Sequence, residues 1–258
     1  MRFVLVHGGF HGAWCWERLT PELERLGHSV VAVDLPGHGR RRDEQVTLAN
    51  RRNAVVEVMQ PGDVLVGHSG GGFEISLAAD AAPELVGHLI YLDAVLPEEG
   101  RTLLEALGAP LPPAGANIAR VRTALADTIG MPFTRLNAQG RMECFDFDGV
   151  RSYFYHDLNE ATARWAFQQL TPAPLEFLTE LVSIPQFWEA DLSRSHILCT
   201  QHSAGGGRSF HEHFAARLGV EPLHIDSSHS PFLSKPRELA ELMVRATVTV
   251  PIHRPSKN

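Results

Sequence analysis

Three short runs constrain this chain more than anything else in it: Phe3 to Val6, Asp63 to Val66 and Leu89 to Leu92, each apolar almost throughout rather than alternating. A strand with no polar face must be covered on both sides, which is the condition of a parallel sheet buried between helices. The intervening segments fit that role. Trp14 to Leu26 carries Trp16, Leu19, Leu23 and Leu26 on one helical face with Gly27 closing it, and Thr47 to Met59 points Leu48, Val55 and Met59 inward. Ser29 to Val33 reads as another strand, and Gly70 to Ala82 as another helix. The rhythm returns near the end, with strands at Ile197 to Thr200 and Leu223 to Ile225 and helices at Phe210 to Leu218 and Pro236 to Thr247. The expected fold is α/β: a mostly parallel, doubly wound sheet of about six core strands.

Between the halves the pattern lapses. From about Pro97 to Ala190 the chain holds seven further scattered prolines and helical stretches, with no convincing strand of the sheet type. This predicts a helical cap over 97–190, seated above the carboxyl ends of the strands where open α/β sheets place ligands. The core then comprises 1–96 and 191–250, and the polar, proline-containing 251–258 is expected to be a disordered tail.

The turn Gly67-His68-Ser69-Gly70-Gly71 joins an expected strand to an expected helix. A serine hydroxyl is a poor nucleophile, and such a turn exposes it at the positive end of a helix, where an oxyanion is stabilised. A glycine-rich turn without chemistry, or a phosphate cradle, is the competing reading. No P-loop lysine follows, and the dinucleotide spacing is not met. Ser69 is therefore the candidate nucleophile, with the N–H groups of Gly70 and Gly9 as candidate oxyanion donors and Phe10 as an alternative to Gly9. Among 14 histidines, His229 stands out by position, in Ser227-Ser228-His229-Ser230-Pro231 between the last strand and the last helix. His224 lies within a strand and His211 and His213 on a helix, so they are poorer bases.

The acid is less obvious. Leu192 to His211 contains no Asp or Glu, and Gln201 and His202 stand after the strand where an acid is usual. Asp93, ending Leu89-Ile90-Tyr91-Leu92-Asp93, reaches the same sheet edge. It is the candidate, against a serine–histidine pair working without an acid. Asp226 follows the last strand and faces badly.

Charge and cysteine usage narrow the partners. Lys and Arg number 23 against 30 Asp and Glu, a formal charge of −7, which argues against nucleic acid or an anionic membrane. Arg40-Arg41-Arg42 runs at once into Asp43 and Glu44 and reads as a solvated loop. The three cysteines lack paired spacing, and the first apolar run is too short for a signal peptide. A cytoplasmic protein is expected, acting on a small molecule. No cofactor and no metal are implied: His211 and His213 sit two apart on a helix and point in different directions. Oligomeric state is not legible, and a homodimer stays open.

At Val6-His7-Gly8-Gly9-Phe10-His11-Gly12-Ala13-Trp14, Asp34-Leu35-Pro36-Gly37-His38-Gly39, the Ser69 turn and Tyr91-Leu92-Asp93-Ala94-Val95-Leu96-Pro97, the chain resembles the α/β-hydrolases. The branch is that of plant methylesterases, hydroxynitrile lyases and small bacterial esterases. Lyases of that branch tend to carry Glu before the nucleophile and Lys after the histidine; here stand His68 and Ser230. The resemblance implies ester hydrolysis through an acyl-Ser69, with His202 where the family usually has its aspartate. Dehalogenases of the same fold place their acid where Asp93 stands. Phe10, His68, Leu96, Tyr155 and Trp165 are the expected substrate contacts, the last two drawn from an aromatic cap set that could line a pocket or simply pack a lobe. Two alternatives remain: a lyase or cyclase using the same pair as a general base without acylation, and a non-catalytic ligand-binding protein.

Overall fold

Six parallel strands form the centre of the molecule. A computed structural model describes residues 1–113, 117–202 and 207–248; the expected tail 251–258 lies outside the described residues. In chain order the strands are β1 (Arg2–Val6), β2 (Ser29–Val33), β3 (Asp63–His68), β4 (Val86–Leu92), β5 (Thr134–Leu136), β6 (Met142–Cys144), β7 (Arg194–Cys199) and β8 (Leu223–Ile225). The main sheet runs β2-β1-β3-β4-β7-β8, every pair parallel. The first crossover leads outward from β1 to β2 and the next returns to its other side at β3. The chain thus reverses direction beside β1, and loops leaving the carboxyl ends of β1 and β3 diverge around a crevice.

The apolar runs occupy the positions that their composition requires. All of β3 is buried, as are Phe3 to Val6 of β1 and the last five residues of β4. Both β3 and β4 outrun their apolar stretches, β3 at its end, where Gly67 and His68 keep parallel register with Tyr91 and Leu92, and β4 at its start, where Val86 pairs with Asp63. The segment 14–26 is not one helix. A 3₁₀ turn covers Ala13–Trp16 and an α-helix Thr20–Arg25, because Pro21 is tolerated only in a helix's first turn. The next helix, Leu48–Val56, is capped by Thr47, whose side chain accepts the Asn50 N–H.

Between β4 and β7 the described chain forms helices Leu103–Ala106, Ile118–Ile129, Phe147–Phe154, Glu160–Gln169 and Pro185–Glu189, together with an antiparallel hairpin of β5 and β6. The hairpin was not expected. Its turn is built by Asn137, whose side-chain oxygen accepts the N–H groups of Gln139 and Arg141, and by Gly140 at φ +73°. This segment is bonded to the loops at the sheet's carboxyl edge: Thr171 N–H donates to Phe10 O at 2.8 Å, and the Glu180 carboxylate accepts the Leu48 N–H.

Candidate active site

Ser69 sits at the tip between β3 and helix Gly71–Ala81 with φ +52°, a left-handed conformation rare outside glycine. The turn is possible because its neighbours lack side chains. A Cβ on Gly67 would lie 2.5 Å from Gly71 O, and one on Gly71 would lie 2.6 Å from Val6 O. The Ser69 backbone is tied to β4 and beyond, with its N–H donating to Leu92 O at 3.2 Å and its carbonyl accepting Val95 N–H at 3.1 Å.

Asp93 ends β4 in the same unusual conformation, φ +44°. It follows Leu92, the register partner of His68, so Ser69 and Asp93 leave the sheet side by side. Its carboxylate is buried. Oδ1 accepts Cys199 N–H at 3.2 Å, and Oδ2 accepts from His229 Nδ1 at 2.6 Å. The histidine loop is held from two sides: His68 Nε2 donates to His229 O at 2.8 Å, and Asp157 accepts the Ser228 N–H at 3.0 Å and its hydroxyl at 2.6 Å. Asp226 is exposed and engaged elsewhere, accepting from Thr200 and Gln201.

Burial pushes the Asp93 carboxyl up, but the imidazoles of His211, His202 and His229 outweigh it and hold it well below the usual range. Burial, reinforced by His202, lowers His229 to about 3 against the opposing pull of Asp93. At neutral pH the pair is thus a carboxylate beside a neutral imidazole.

His202 adds a second imidazole on that carboxylate. Its Nδ1 lies 2.7 Å from Asp93 Oδ2, though outside hydrogen-bonding angles, and its ring centre is 4.1 Å from that of His229. His211 joins from helix Gly207–Leu218, its ring 5.1 Å from His202. No sequence spacing brings these groups to Asp93; only the crossing of β7 beside β4 does.

A cavity of about 120 Å³ opens between this cluster and the segment 97–190, and Ser69, His229, Gly9, Gly70 and Phe10 all line it. Ser69 and His229 are not hydrogen-bonded to each other among the described residues; such contacts often tighten only when substrate binds. A Cβ on Gly70 would lie 3.8 Å from Gly9 N, and among the described residues the N–H groups of Gly9, Phe10 and Gly70 have no protein acceptor. Gly9 and Gly70 thus bring two unengaged donors close together on the cavity that Ser69 lines.

Of the five expected contacts Phe10 lines this cavity, whereas His68, Leu96, Tyr155 and Trp165 do not. His68 lies beneath the His229 loop. Leu96 is fully buried, and its carbonyl accepts from Arg217. The Tyr155 hydroxyl bonds His11 Nε2 at 2.7 Å. Trp165 packs edge-on against Trp14. Tyr153 and Phe154 supply the aromatic wall instead, and aliphatic residues such as Leu125, Ile129, Met131 and Leu178 complete it. Tyr153 and Phe154 belong to the aromatic cap set that the sequence singled out; the aliphatic lining escaped it, as did the buried Arg51–Glu74 pair (2.6 Å), which also lines the cavity.

A parallel sheet with a left-handed serine after its third strand, and a histidine–carboxylate pair on the same cavity, defines a class of protein. The chain belongs to the alpha/beta hydrolase family, whose profile matches residues 3–242. It is similar to polyneuridine aldehyde esterase of Rauvolfia serpentina, 43% identical over 109 residues, a match that spans 39% of this chain and only 41% of that relative. It is 30% identical over 264 residues to norfluorocurarine synthase 2 of Strychnos sp, with 96% of each chain covered. Among solved structures, an extracellular α/β-hydrolase from a Paenibacillus species, described as homologous to tobacco salicylic acid binding protein 2, superposes with a TM-score of 0.77. The identity is 25%, over 95% of this chain and 98% of that one. No helix among the described residues is long and apolar enough to cross a membrane.

Proposed function

We propose that the chain is a serine esterase cleaving a small carboxylic ester with an apolar acyl group. The observation that carries this is the Asp93–His229 hydrogen bond, on a cavity that His229 and Ser69 line together with Gly9 and Gly70, whose N–H groups are unengaged. In this reading His229 accepts the Ser69 proton as Oγ attacks the ester carbonyl. Asp93 holds the tautomer and stabilises the imidazolium. The N–H groups of Gly9 and Gly70 receive the oxyanion. The tetrahedral intermediate collapses, His229 protonates the leaving alcohol, and water cleaves the acyl-Ser69 by the same steps. Residues 97–190 act as the cap, and their aliphatic and aromatic lining accommodates the acyl chain while excluding water. The esterase among the relatives supports the assignment. The three cysteines, none in a disulfide, fit a reducing compartment.

The test is labelling of Ser69 by a serine-directed phosphonate together with alcohol release from activated short-chain esters. Protein inert in both assays would remove the assignment. A synthase among the relatives favours one second reading, general-base chemistry by the same Ser69–His229 pair without acylation. Mass-spectrometric trapping of an acyl-Ser69 separates the two.

A further inference from the structure

We infer that Asp93, His202 and His211 form a binding site for a zinc-type divalent cation, and that filling it switches the hydrolase off. The switching half rests on the esterase reading above; the binding half does not.

One ligand atom from each of the three side chains lies within 4.8 Å of the other two, and all three residues are buried. His202 is 5% exposed, yet neither of its ring nitrogens makes a hydrogen bond among the described residues. Nδ1 sits beside the Asp93 carboxylate at 2.7 Å, but Nε2 is left with no partner among the described residues, which is uncommon for a buried imidazole. Turning the ring gives up only that Nδ1 contact, since Nε2 holds no hydrogen bond among the described residues. That freedom matters, because ligands on a tetrahedral zinc at ~2.0–2.1 Å stand roughly 3.4 Å apart, so the 2.7 Å Asp93–His202 edge must open and any wider edge must close.

The donor set selects the ion. Two imidazoles and one carboxylate suit zinc and its late first-row neighbours, whereas calcium and magnesium want oxygen shells. Access is provided as well, since His202 and His211 both line the cavity. The fourth position would face that cavity and take water.

The consequence for the reaction follows from one atom. Asp93 Oδ2 lies 2.6 Å from His229 Nδ1 and 2.7 Å from His202 Nδ1. A cation coordinated there draws the carboxylate's charge away from His229, which then lacks the partner that fixes its tautomer. Bound metal and an oriented base exclude each other. The ion acts as an inhibitor seated on the orienting acid, with no part in bond cleavage.

The experiment uses the full chain. Equilibrium dialysis against Zn²⁺ should load one ion per chain in both the native protein and Ser69→Ala, and Co²⁺ should give the visible absorption of a low-coordinate nitrogen–oxygen site. His202→Asn, which keeps size and polarity, should weaken uptake by roughly a hundredfold, the upper range for losing even an outer-sphere partner of a metal. His211→Asn serves as the second variant should the first not fold. In turnover assays Zn²⁺ should inhibit the native protein reversibly with EDTA, and the ratio of rates with and without Zn²⁺ should approach one in the variants. No uptake above buffer, or equal uptake by folded variants, overturns the site. Uptake with undiminished esterase activity overturns the switch. Uptake by a protein that hydrolyses no ester leaves the site standing and removes the esterase reading instead.

Discussion

Replacing Asp93 by Asn changes one atom in the centre of the candidate relay, and the structure dictates which way the new amide turns. Oδ1 accepts Cys199 N–H, a bond that the amide oxygen can keep and the amide nitrogen cannot. The NH₂ group is therefore left facing His229 Nδ1, at the place where Oδ2 now accepts from that ring at 2.6 Å. A donor there compels Nδ1 to be the unprotonated nitrogen and puts the proton on Nε2, the nitrogen that must accept from Ser69. The base is removed by tautomer rather than by displacement. Such a change costs on the order of 10⁴ in kcat, or about 5.4 kcal/mol of transition-state stabilisation. The assay is steady-state hydrolysis of an activated short-chain ester, with circular dichroism to verify the fold. Loss should fall on kcat with KM little altered. An Asn variant within tenfold of the native rate would refute the role of Asp93 and return the base to working alone.

Ser69→Ala or His229→Ala should each lower kcat on the order of a millionfold, and combining them should lower it little further, because the residues act as a unit; single and double variants in the same ester assay check this. Gly71→Ala brings a methyl against backbone oxygens of Val6 and His7, 2.6 and 2.8 Å away, and should cost ~2–3 kcal/mol, read as a fall of roughly 5–10 °C in melting temperature. Arg51→Met leaves Glu74 buried without its partner and should destabilise by about 3–5 kcal/mol in urea denaturation, while adding Glu74→Leu should recover much of that. Burial alone would raise the carboxyl of Asp34, but hydrogen bonds from Ala13 N–H and from the Arg40 backbone and side chain lower it below its model-peptide value. The folded value is thus the lower one. This contribution is complete above the unfolded value near 3.8 and is lost as pH falls through the folded value. Asp34→Asn should flatten the acid limb of the stability–pH curve, and an unchanged limb would count against that assignment.

What could be read from the sequence was whatever lies close along the chain. Apolar runs without alternation specify buried parallel strands, and a strand–Gly-x-Ser-x-Gly–helix pattern is local. So was the His229 loop between the last strand and last helix. Asp93 was legible because strand ends share an edge, so an acid missing after β7 could be sought after β4. His202 and His211 were not legible as neighbours of Asp93, since 109 and 118 residues separate them from it in the numbering and only sheet pairing joins them. The β5–β6 hairpin escaped because strands of three residues are too short to show alternation. The cavity lining was only partly legible, for a different reason. Aromatic side chains draw attention in a sequence, but Tyr155 and Trp165 are consumed by contacts with His11 and Trp14, while Tyr153 and Phe154 share the cavity wall with ordinary leucines, isoleucines and methionines.

Ser69 and Asp93 leave adjacent, register-paired strands, each in a left-handed conformation and each fastened by its own backbone N–H, to Leu92 O and Ile197 O. Their separation is governed by the sheet's interstrand spacing rather than by the wandering of a surface loop. Warming that loosens peripheral segments would then leave this half of the relay in register. Heat inactivation should coincide with the cooperative melting of the sheet instead of preceding it, giving a working range that extends to the edge of the fold's own survival.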